Sequence, residues 1–338
     1  MTRRRISAKR PVAVVPGTQR DLDALIARAE GVLGRVEALL PAPAPDPDWR
    51  VVHAARWRKR GGRGFLQAVA HPHAIDLGAL VAIDAQKETI DRNTRQFVLG
   101  LPANNVLLTG SRGTGKSSLV KAMLAKYAAK GLRLIEVDKA DLTDLPDIVE
   151  RVEGRPERFV VFCDDLTFDA GEAGYKALKV VLDGSIAGSA GNVLVYATSN
   201  RRHLLPEYMS ENLETRHVGE EVHPGESVEE KISLSERFGL WVSFYPFAQD
   251  DYLAAVDRWL AHFRVAAPAS PKDADARTRE ALQFALQRGS RSGRVAWQFA
   301  RHCAGALALR SGPRSALRAP PPEGAGRPRG GPSAAKRR

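Results

Sequence analysis

Short apolar runs alternate with amphipathic stretches through the middle of the chain. Five runs have the length and composition of buried strands, at 105–109, 132–137, 158–163, 192–198 and 240–245. The stretches between them that space their apolar residues as helices do are 115–130, 141–153 and 172–183. Strands alternating with helices predict an α/β fold of three layers, in which a parallel sheet is sandwiched between helices.

Purely helical patterns lie on either side of this α/β region. Residues 21–40 repeat apolar positions at helical spacing and run into a proline-rich linker at 41–47, and 80–99 predict another helix. From 250 to 310 the pattern is helical throughout. We therefore expect a disordered tail at 1–20, a helical N-terminal region with its linker at 21–79, an α/β core at 80–249, a small α-helical lid at 250–309 and a disordered tail rich in proline and glycine at 310–338.

Composition is that of an ordinary globular chain, with 43% hydrophobic and 27% charged residues among 338. No apolar run approaches the roughly 20 residues of a membrane span, and no apolar core follows the basic N-terminus as it would in a secretory signal. The only two cysteines are Cys163 and Cys303, which argues against a disulfide or zinc framework. We expect a cytoplasmic location, and we expect His71 and His73 to lie in a loop.

Positive charge is concentrated at the two ends of the chain. The formal net charge is +12, and residues 1–20 carry six basic and no acidic residues. Residues 310–338 carry eight basic residues and one acidic residue, which leaves residues 21–309 at −1. Such tails either hold an anionic polymer, for example a nucleic acid, or only keep the protein soluble.

A further basic stretch, at 49–63, interleaves six lysines and arginines with Trp49 and Trp57. Aromatic rings among cations can stack on bases while the cations neutralise phosphates, which would make this stretch a nucleic-acid contact. It is equally consistent with a solvated helix whose two tryptophans enter the core.

The first strand of the α/β region leads into the most specific motif of the chain. Residues 110–117 match the phosphate-loop pattern G-x-x-x-x-G-K-[ST] at every fixed position, after a strand and before a helical pattern. Glycines let main-chain N–H groups surround a polyphosphate, Lys116 would reach the β- and γ-phosphates, and the Ser117 hydroxyl would ligate Mg²⁺. The predicted nucleotide-binding residues are Gly110, Ser111, Arg112, Gly113, Thr114, Gly115, Lys116, Ser117 and Ser118.

Polar residues follow two later strands of the same sheet. Asp164 and Asp165 come directly after 158–163, where Asp164 would hold Mg²⁺ and Asp165 would orient or deprotonate the attacking water. Asp165 is alternatively a helix N-cap or loop carboxylate. Asn200 follows 192–198 and either bonds the γ-phosphate or the water, or forms a turn.

This set of motifs, with a helical lid after it, resembles the AAA+ ATPases. The resemblance implies that Arg237, just before the last strand, is an arginine finger that reaches the γ-phosphate bound by a neighbouring subunit. It also implies that Arg294, or otherwise Arg291, is the arginine that the lid contributes. The alternatives are a surface or ion-paired Arg237 and solvated arginines in a helix-cap loop.

A closer resemblance is to a bacterial family of uncharacterised AAA+-type ATPases, over about residues 20–305. The segments that carry it are 83–87, 102–108, 223–226 and 233–241. It implies ATP binding, with residues 80–86 near the adenine. One departure from AAA+ proteins is Asp165, where Glu is usual. Aspartate is one methylene shorter, so we expect hydrolysis to be slow.

Two functions fit this chain. The first is an ATPase with Mg²⁺ that assembles head-to-tail as a homo-oligomer and remodels or loads an unknown macromolecular partner. The alternative is a nucleic-acid-binding adaptor, through the tails and 49–63, in which ATP is a slow conformational switch. A small-molecule P-loop kinase is less favoured, because no arginine-rich lid for a second substrate is evident.

Overall fold

The computed structural model describes residues 16–39, 45–168, 172–183, 191–200, 216–218, 221–223 and 236–310. Nearly all of both predicted tails, and most of the proline-rich linker, lie outside these residues. The chain divides into two compact units, Met1–Pro45 and Asp46–Arg338.

The first unit contains one helix, α1, at Pro16–Leu39. The predicted helix at 21–40 is therefore confirmed, but it begins five residues earlier, inside the segment expected to be disordered. Pro16 suits the first turn, where a helix needs no N–H donor. Among the α1 side chains that the structure describes, the apolar ones of Leu25, Val32 and Leu33 are exposed.

The second unit is built on a seven-stranded sheet. Its strands are β1 (Ala54–Arg60), β2 (Arg63–Ala68), β3 (Val106–Gly110), β4 (Leu132–Val137), β5 (Arg158–Cys163), β6 (Val193–Ser199) and β9 (Leu240–Phe244), in the spatial order β2-β1-β4-β5-β6-β3-β9. Within this sheet β1 and β2 pair antiparallel, and the other neighbouring strands pair parallel. Two short strands, β7 (Arg216–Val218) and β8 (Glu221–His223), pair antiparallel in a separate sheet. All five predicted strands are confirmed to within one residue at each end.

Helices cover both faces of the large sheet, so the predicted three-layer α/β/α arrangement is confirmed. The helices are α2 (Asp84–Val98), α3 (Lys116–Tyr127), α4 (Leu145–Val152), α5 (Ala173–Asp183), α6 (Gln249–His262), α7 (Pro271–Gln287) and α8 (Gly293–Arg310). Alternate strand residues enter two separate cores. Val106 and Leu108 face the core formed with α2, α3 and the C-terminal helices, whereas Leu107 faces the core formed with α4 and α5. Cys163 belongs to the second core and is fully buried, while Cys303 on α8 is half-buried.

The edge of the sheet formed by β1 and β2 differs from the sequence prediction. Residues 54–68 form a hairpin rather than a helix, because Gly61 and Gly62 both take positive φ values, 57° and 77°, that suit a tight two-residue turn. Strand β1 then pairs in parallel with β4 and extends the sheet.

The two tryptophans of 49–63 are buried, and several of its cations form ion pairs within the fold. Trp49 and Trp57 are 1% and 2% exposed, so stacking of these two rings on bases is wrong, although their place in the core is confirmed. Several cations of the hairpin face carboxylates on the strand and loop that follow α3. The ion pairs are Arg56–Glu136 at 2.7 Å, Arg58–Asp138 at 2.9 Å and Lys59–Asp144 at 2.8 Å.

The C-terminal helices α6, α7 and α8 form an all-α unit where the lid is predicted, and they pack in the first core through residues such as Tyr252 and Phe299. In the part of the chain that the structure describes, no helix combines the length and apolarity that crossing a bilayer would require.

Candidate functional site

The loop between β3 and α3 starts in close contact with the main chain of β9. Gly110 has a φ of 122°, and a Cβ at this position would collide with the carbonyl oxygen of Phe244 on β9. Gly113 and Gly115 also have positive φ values, 76° and 104°, and Gly115 caps the N-terminus of α3. The loop glycines are therefore required by backbone conformation, and the loop presents the N-terminal end of α3 to the cleft.

Lys116 is the buried cation at the centre of the loop. Its side chain donates to the carbonyl oxygens of Gly110 at 2.7 Å and Ser111 at 2.8 Å, and to Oδ1 of Asn200 at 3.0 Å. Burial lowers the pKa of Lys116 to about 8, although the nearby carboxylates of Asp165 and Asp164 act in the opposite direction. The amine therefore lies where the phosphate loop meets the end of β6.

Asp164 receives two hydroxyl hydrogen bonds on one carboxylate oxygen. Ser117 Oγ and Thr198 Oγ1 each donate to Asp164 Oδ1 at 2.6 Å. Thr198 is buried, and its hydroxyl also accepts from the main-chain N–H of Asp165 at 2.8 Å. The two residues predicted to hold Mg²⁺ are thus in contact, and Thr198 fixes the orientation of the second one. Sequence reasoning missed this threonine, although its position near the end of β6 was a usable signal.

Asp165 and Asn200 form the next polar pair along the sheet edge. The Asn200 side-chain amide donates to Asp165 Oδ1, while its carbonyl oxygen accepts from Lys116. Asp165 has a φ of 54° and lies eight residues before α5 begins at Ala173, so it is not the N-cap of that helix. Its carboxylate and that of Asp164 are exposed to the cleft.

A cleft of about 890 Å³ joins these groups to an apolar region. Seven of the nine predicted loop residues line it, and Gly110 and Ser111 instead support Lys116 from behind. Leu80, Val81 and Ile83 also line the cleft, and their place near the adenine stays a prediction of the resemblance. The larger apolar and aromatic lining side chains that the sequence did not reveal include His73, Ile75, Phe247, Trp259 and Trp297. They come from three separate segments, and no local pattern marks them.

The lid approaches the phosphate loop directly. The main-chain N–H of Arg294 donates to the carbonyl oxygen of Gly113 at 3.3 Å, and a Cβ on Gly113 would come within 2.8 Å of Ser292 Oγ. Arg294 lines the cleft, whereas Arg291 does not belong to the described lining. Of the two candidates, Arg294 therefore has the position that a lid arginine needs.

Arg237 is not brought to the cleft of its own chain. Its Nε donates to Asp183 Oδ1 at 2.6 Å, at the C-terminal end of α5, and it is absent from the described cleft lining. A role for Arg237 in hydrolysis therefore requires the cleft of a second copy.

The fold is similar to parts of several solved structures. A mutant of Thermotoga maritima RuvB is 17% identical, with 70% of this chain covering 67% of that one at a TM-score of 0.45. Aeropyrum pernix ORC1, solved with DNA, is 16% identical. The match covers 69% of this chain and 62% of that one, at a TM-score of 0.46. A chain of a HORMA:CdnC:Trip13 complex of E. coli MS115-1 is 14% identical. The match covers 67% of this chain and 90% of that one, at a TM-score of 0.42. At these identities the similarity concerns the fold alone.

No curated protein matches the chain significantly. One family model does, and it extends from the loop before β1 to the last turns of α8. It matches residues 50–307 and is described as a protein of unknown function, DUF815. The match leaves out both basic tails, as expected from the resemblance, but it also leaves out α1, which the resemblance over about residues 20–305 had included. Because it takes in the whole sheet, the phosphate loop and the lid, the chain belongs to the DUF815 family.

Proposed function

We propose that this protein is an AAA+-type ATPase that hydrolyses ATP with Mg²⁺ at the interfaces of a homo-oligomer and thereby remodels or loads a macromolecular partner. The observation that carries the proposal is the convergence of Lys116, Ser117, Asp164, Asp165 and Asn200 in one cleft. These residues come from the ends of three neighbouring parallel strands, and together they supply the groups that phosphoryl transfer needs.

Phosphate binding would use the loop amides and the Lys116 ammonium. Two of the acceptors of Lys116 are the carbonyl oxygens of Gly110 and Ser111, so its amine already lies against the main chain of the loop. The contacting oxygens of Ser117 and Asp164 suit a hard cation, and these two residues would hold Mg²⁺, which would neutralise phosphate charge.

Water activation would fall to Asp165, oriented by Asn200. A carboxylate whose oxygen is held by a side-chain amide has a fixed direction, which favours positioning of a water for in-line attack. Because aspartate is one methylene shorter than glutamate, we expect turnover at the slow end of the range for this class.

Nucleotide binding is tested with Lys116→Ala, and Lys126→Ala is the matched control. Both lysines are on α3, but Lys126 pairs with Asp91 at 2.7 Å and is outside the described cleft lining. Titration calorimetry with ATP and Mg²⁺ should show binding by the parent and the control and a large loss for Lys116→Ala. Absence of binding by the folded parent, or equal binding by all three proteins, would overturn the proposal.

The arginine finger is tested by mixing two inactive variants. Arg237→Ala should bind ATP and fail to hydrolyse it, and Lys116→Ala should do neither. Mixed oligomers contain interfaces at which an intact Arg237 meets an intact loop, so part of the activity should return. Arg58→Ala, which also breaks a surface ion pair, should keep the parent rate of phosphate release. Parental hydrolysis by Arg237→Ala alone would exclude the trans arrangement.

A second candidate is a nucleic-acid-binding adaptor in which ATP is a slow switch, and the short reach of Asp165 favours it. Asp165→Glu is expected to raise turnover if this reach limits hydrolysis. If turnover is negligible in both proteins while ATP changes nucleic-acid affinity, the adaptor replaces the motor.

A further inference from the structure

The helix α1 repeats its apolar residues with a period of seven. The positions that alternate steps of three and four residues are Leu22, Leu25, Ala29, Val32, Val36 and Leu39. A repeat of this kind is typical of helices that pack along one another, because it keeps one seam facing the partner helix. Ile26 and Leu33 widen this apolar stripe on one side, which favours a bundle of several helices over a simple pair.

The stripe is exposed along the part of α1 whose side chains the structure describes. The large apolar residues are 47–64% exposed, and they are Leu22, Leu25, Ile26, Val32 and Leu33. Gly31 and Gly34 also weaken α1 as an isolated helix. Most helices owe their stability to the packing of an amphipathic face, so α1 needs a partner that covers the stripe.

Charged residues border the stripe, with opposite signs on its two sides. Asp23 and Glu30 lie along one border, about 110° around the helix from the centre of the stripe, and Arg28 and Arg35 lie at a similar angle along the other. Glu30, Arg28 and Arg35 have no opposite charge three or four residues away in the helix. These charges are therefore available to a neighbouring helix.

The two borders determine the direction of a partner helix. When identical helices pack side by side in the same direction, the acidic border of one meets the basic border of the next. An antiparallel arrangement would bring each border against its own kind. Exposed ion pairs contribute little to affinity, so the charges select the direction while the apolar stripe holds the helices together.

We propose that α1 is an assembly helix, which packs in parallel with the α1 helices of further copies of this chain. The contact is made through Leu22, Leu25, Ile26, Val32 and Leu33. Parallel packing suits copies that are related by rotation about one axis, as subunits of closed oligomers are. The contact goes beyond the proposed function, because α1 lies outside the family match at residues 50–307 and needs no nucleotide.

Cross-linking of the full chain tests the direction of the helices. Cys303→Ser first removes the partly accessible natural thiol. Leu25→Cys then places a thiol on the stripe, where parallel packing brings it beside its equivalent in the next copy. Ala27→Cys, on the opposite face of α1, is the matched control. A short bis-maleimide should join copies of the Leu25→Cys variant and leave the control largely as single chains.

Sedimentation of the full chain without nucleotide tests the stripe. Leu25→Gln combined with Val32→Gln should weaken self-association about 100-fold, because each apolar side chain that loses its burial is worth about a factor of ten or more. Ala24→Gln combined with Gly31→Gln adds the same amides away from the stripe, and a side chain at Gly31 would enter open space. This control should associate at least as tightly as the parent.

Exchange of the border charges tests the pairing between copies. Arg28→Glu combined with Arg35→Glu makes both borders acidic, and Asp23→Lys combined with Glu30→Lys makes both basic. Each double variant should associate more weakly than the parent, because like charges then meet in every contact. An equal mixture of the two variants should recover the association, since an acidic helix then meets a basic one.

Several outcomes would overturn the proposal. They are equal cross-linking of the two thiol variants, unchanged association of the stripe variant, or border variants that associate as tightly as the parent. A stripe variant that unfolds at lower urea than the parent, while neither protein self-associates, would instead indicate that the stripe packs within its own chain. Lys116→Ala should leave the cross-linking unchanged, so the α1 contact and nucleotide binding can fail separately.

Discussion

Replacing Lys116 by methionine should make the nucleotide-free protein more stable at neutral pH. The change removes a buried ammonium and keeps the length of the side chain. Burial lowers the pKa of Lys116 from 10.5 to about 8. At about 1.4 kcal/mol for each pH unit, the charged form therefore costs the folded state about 3 kcal/mol relative to the unfolded chain.

The direction of the pH dependence follows from the protons bound by each state. Between about pH 8 and 10.5, the folded protein has released the Lys116 proton and the unfolded chain has kept it. Stability rises with pH wherever the unfolded state binds more protons, so the cost is complete below about pH 8 and disappears toward 10.5. Cys163 acts in the opposite direction, because burial raises the pKa of its thiol to about 12 and the unfolded chain ionises first.

The quantity to measure is therefore the difference in unfolding free energy between the parent and the variant, because the contribution of Cys163 is the same in both and cancels. Urea unfolding of the parent and of Lys116→Met should show the variant more stable by up to about 3 kcal/mol at pH 7, with the gap shrinking by pH 10. Lys126→Met, on the exposed side of the same helix, should change stability by less than about 1 kcal/mol at either pH. A gap that stays constant from pH 7 to 10 would falsify the assignment of charge burial to Lys116.

Two further substitutions test the geometry around the loop. Gly110→Ala should cost more than about 2 kcal/mol in urea unfolding, because its Cβ meets the Phe244 carbonyl, whereas Gly131→Ala has a φ of 95° but open space and should cost about 1 kcal/mol. Thr198→Val removes the hydroxyl that donates to Asp164, so we expect a loss of about 2 kcal/mol in stability and weaker ATP binding in the presence of Mg²⁺ by calorimetry. Equal costs for the two glycines, or unchanged binding by the valine variant, would contradict these assignments.

Strands buried on both faces were predictable because burial leaves a continuous apolar run in the sequence. The segment 158–163 is such a run, and β5 has these same bounds. The phosphate loop was predictable for a different reason, since its glycines and Lys116 are fixed by the shape of a polyphosphate. Asp164 and Asn200 followed, because parallel strands end at one edge of the sheet.

The hairpin at 54–68 was not recognised, because its exposed face is rich in arginine and lysine and hides the alternation of buried residues. Its one local signal was Gly61-Gly62, a pair that favours a two-residue turn. The apolar end of the cleft could not be predicted either. His73, Phe247 and Trp297 are distant in sequence and meet only when the lid packs on the sheet.

The two cysteines differ in burial, and this difference has a practical consequence. Cys163 lies fully inside the sheet layer, and its thiol cannot ionise at neutral pH, so a maleimide would not reach or react with it. Cys303 is partly accessible on α8. Without any engineering, the natural chain should therefore accept a single fluorophore on its lid, and that dye would report in real time whether the lid moves when nucleotide arrives.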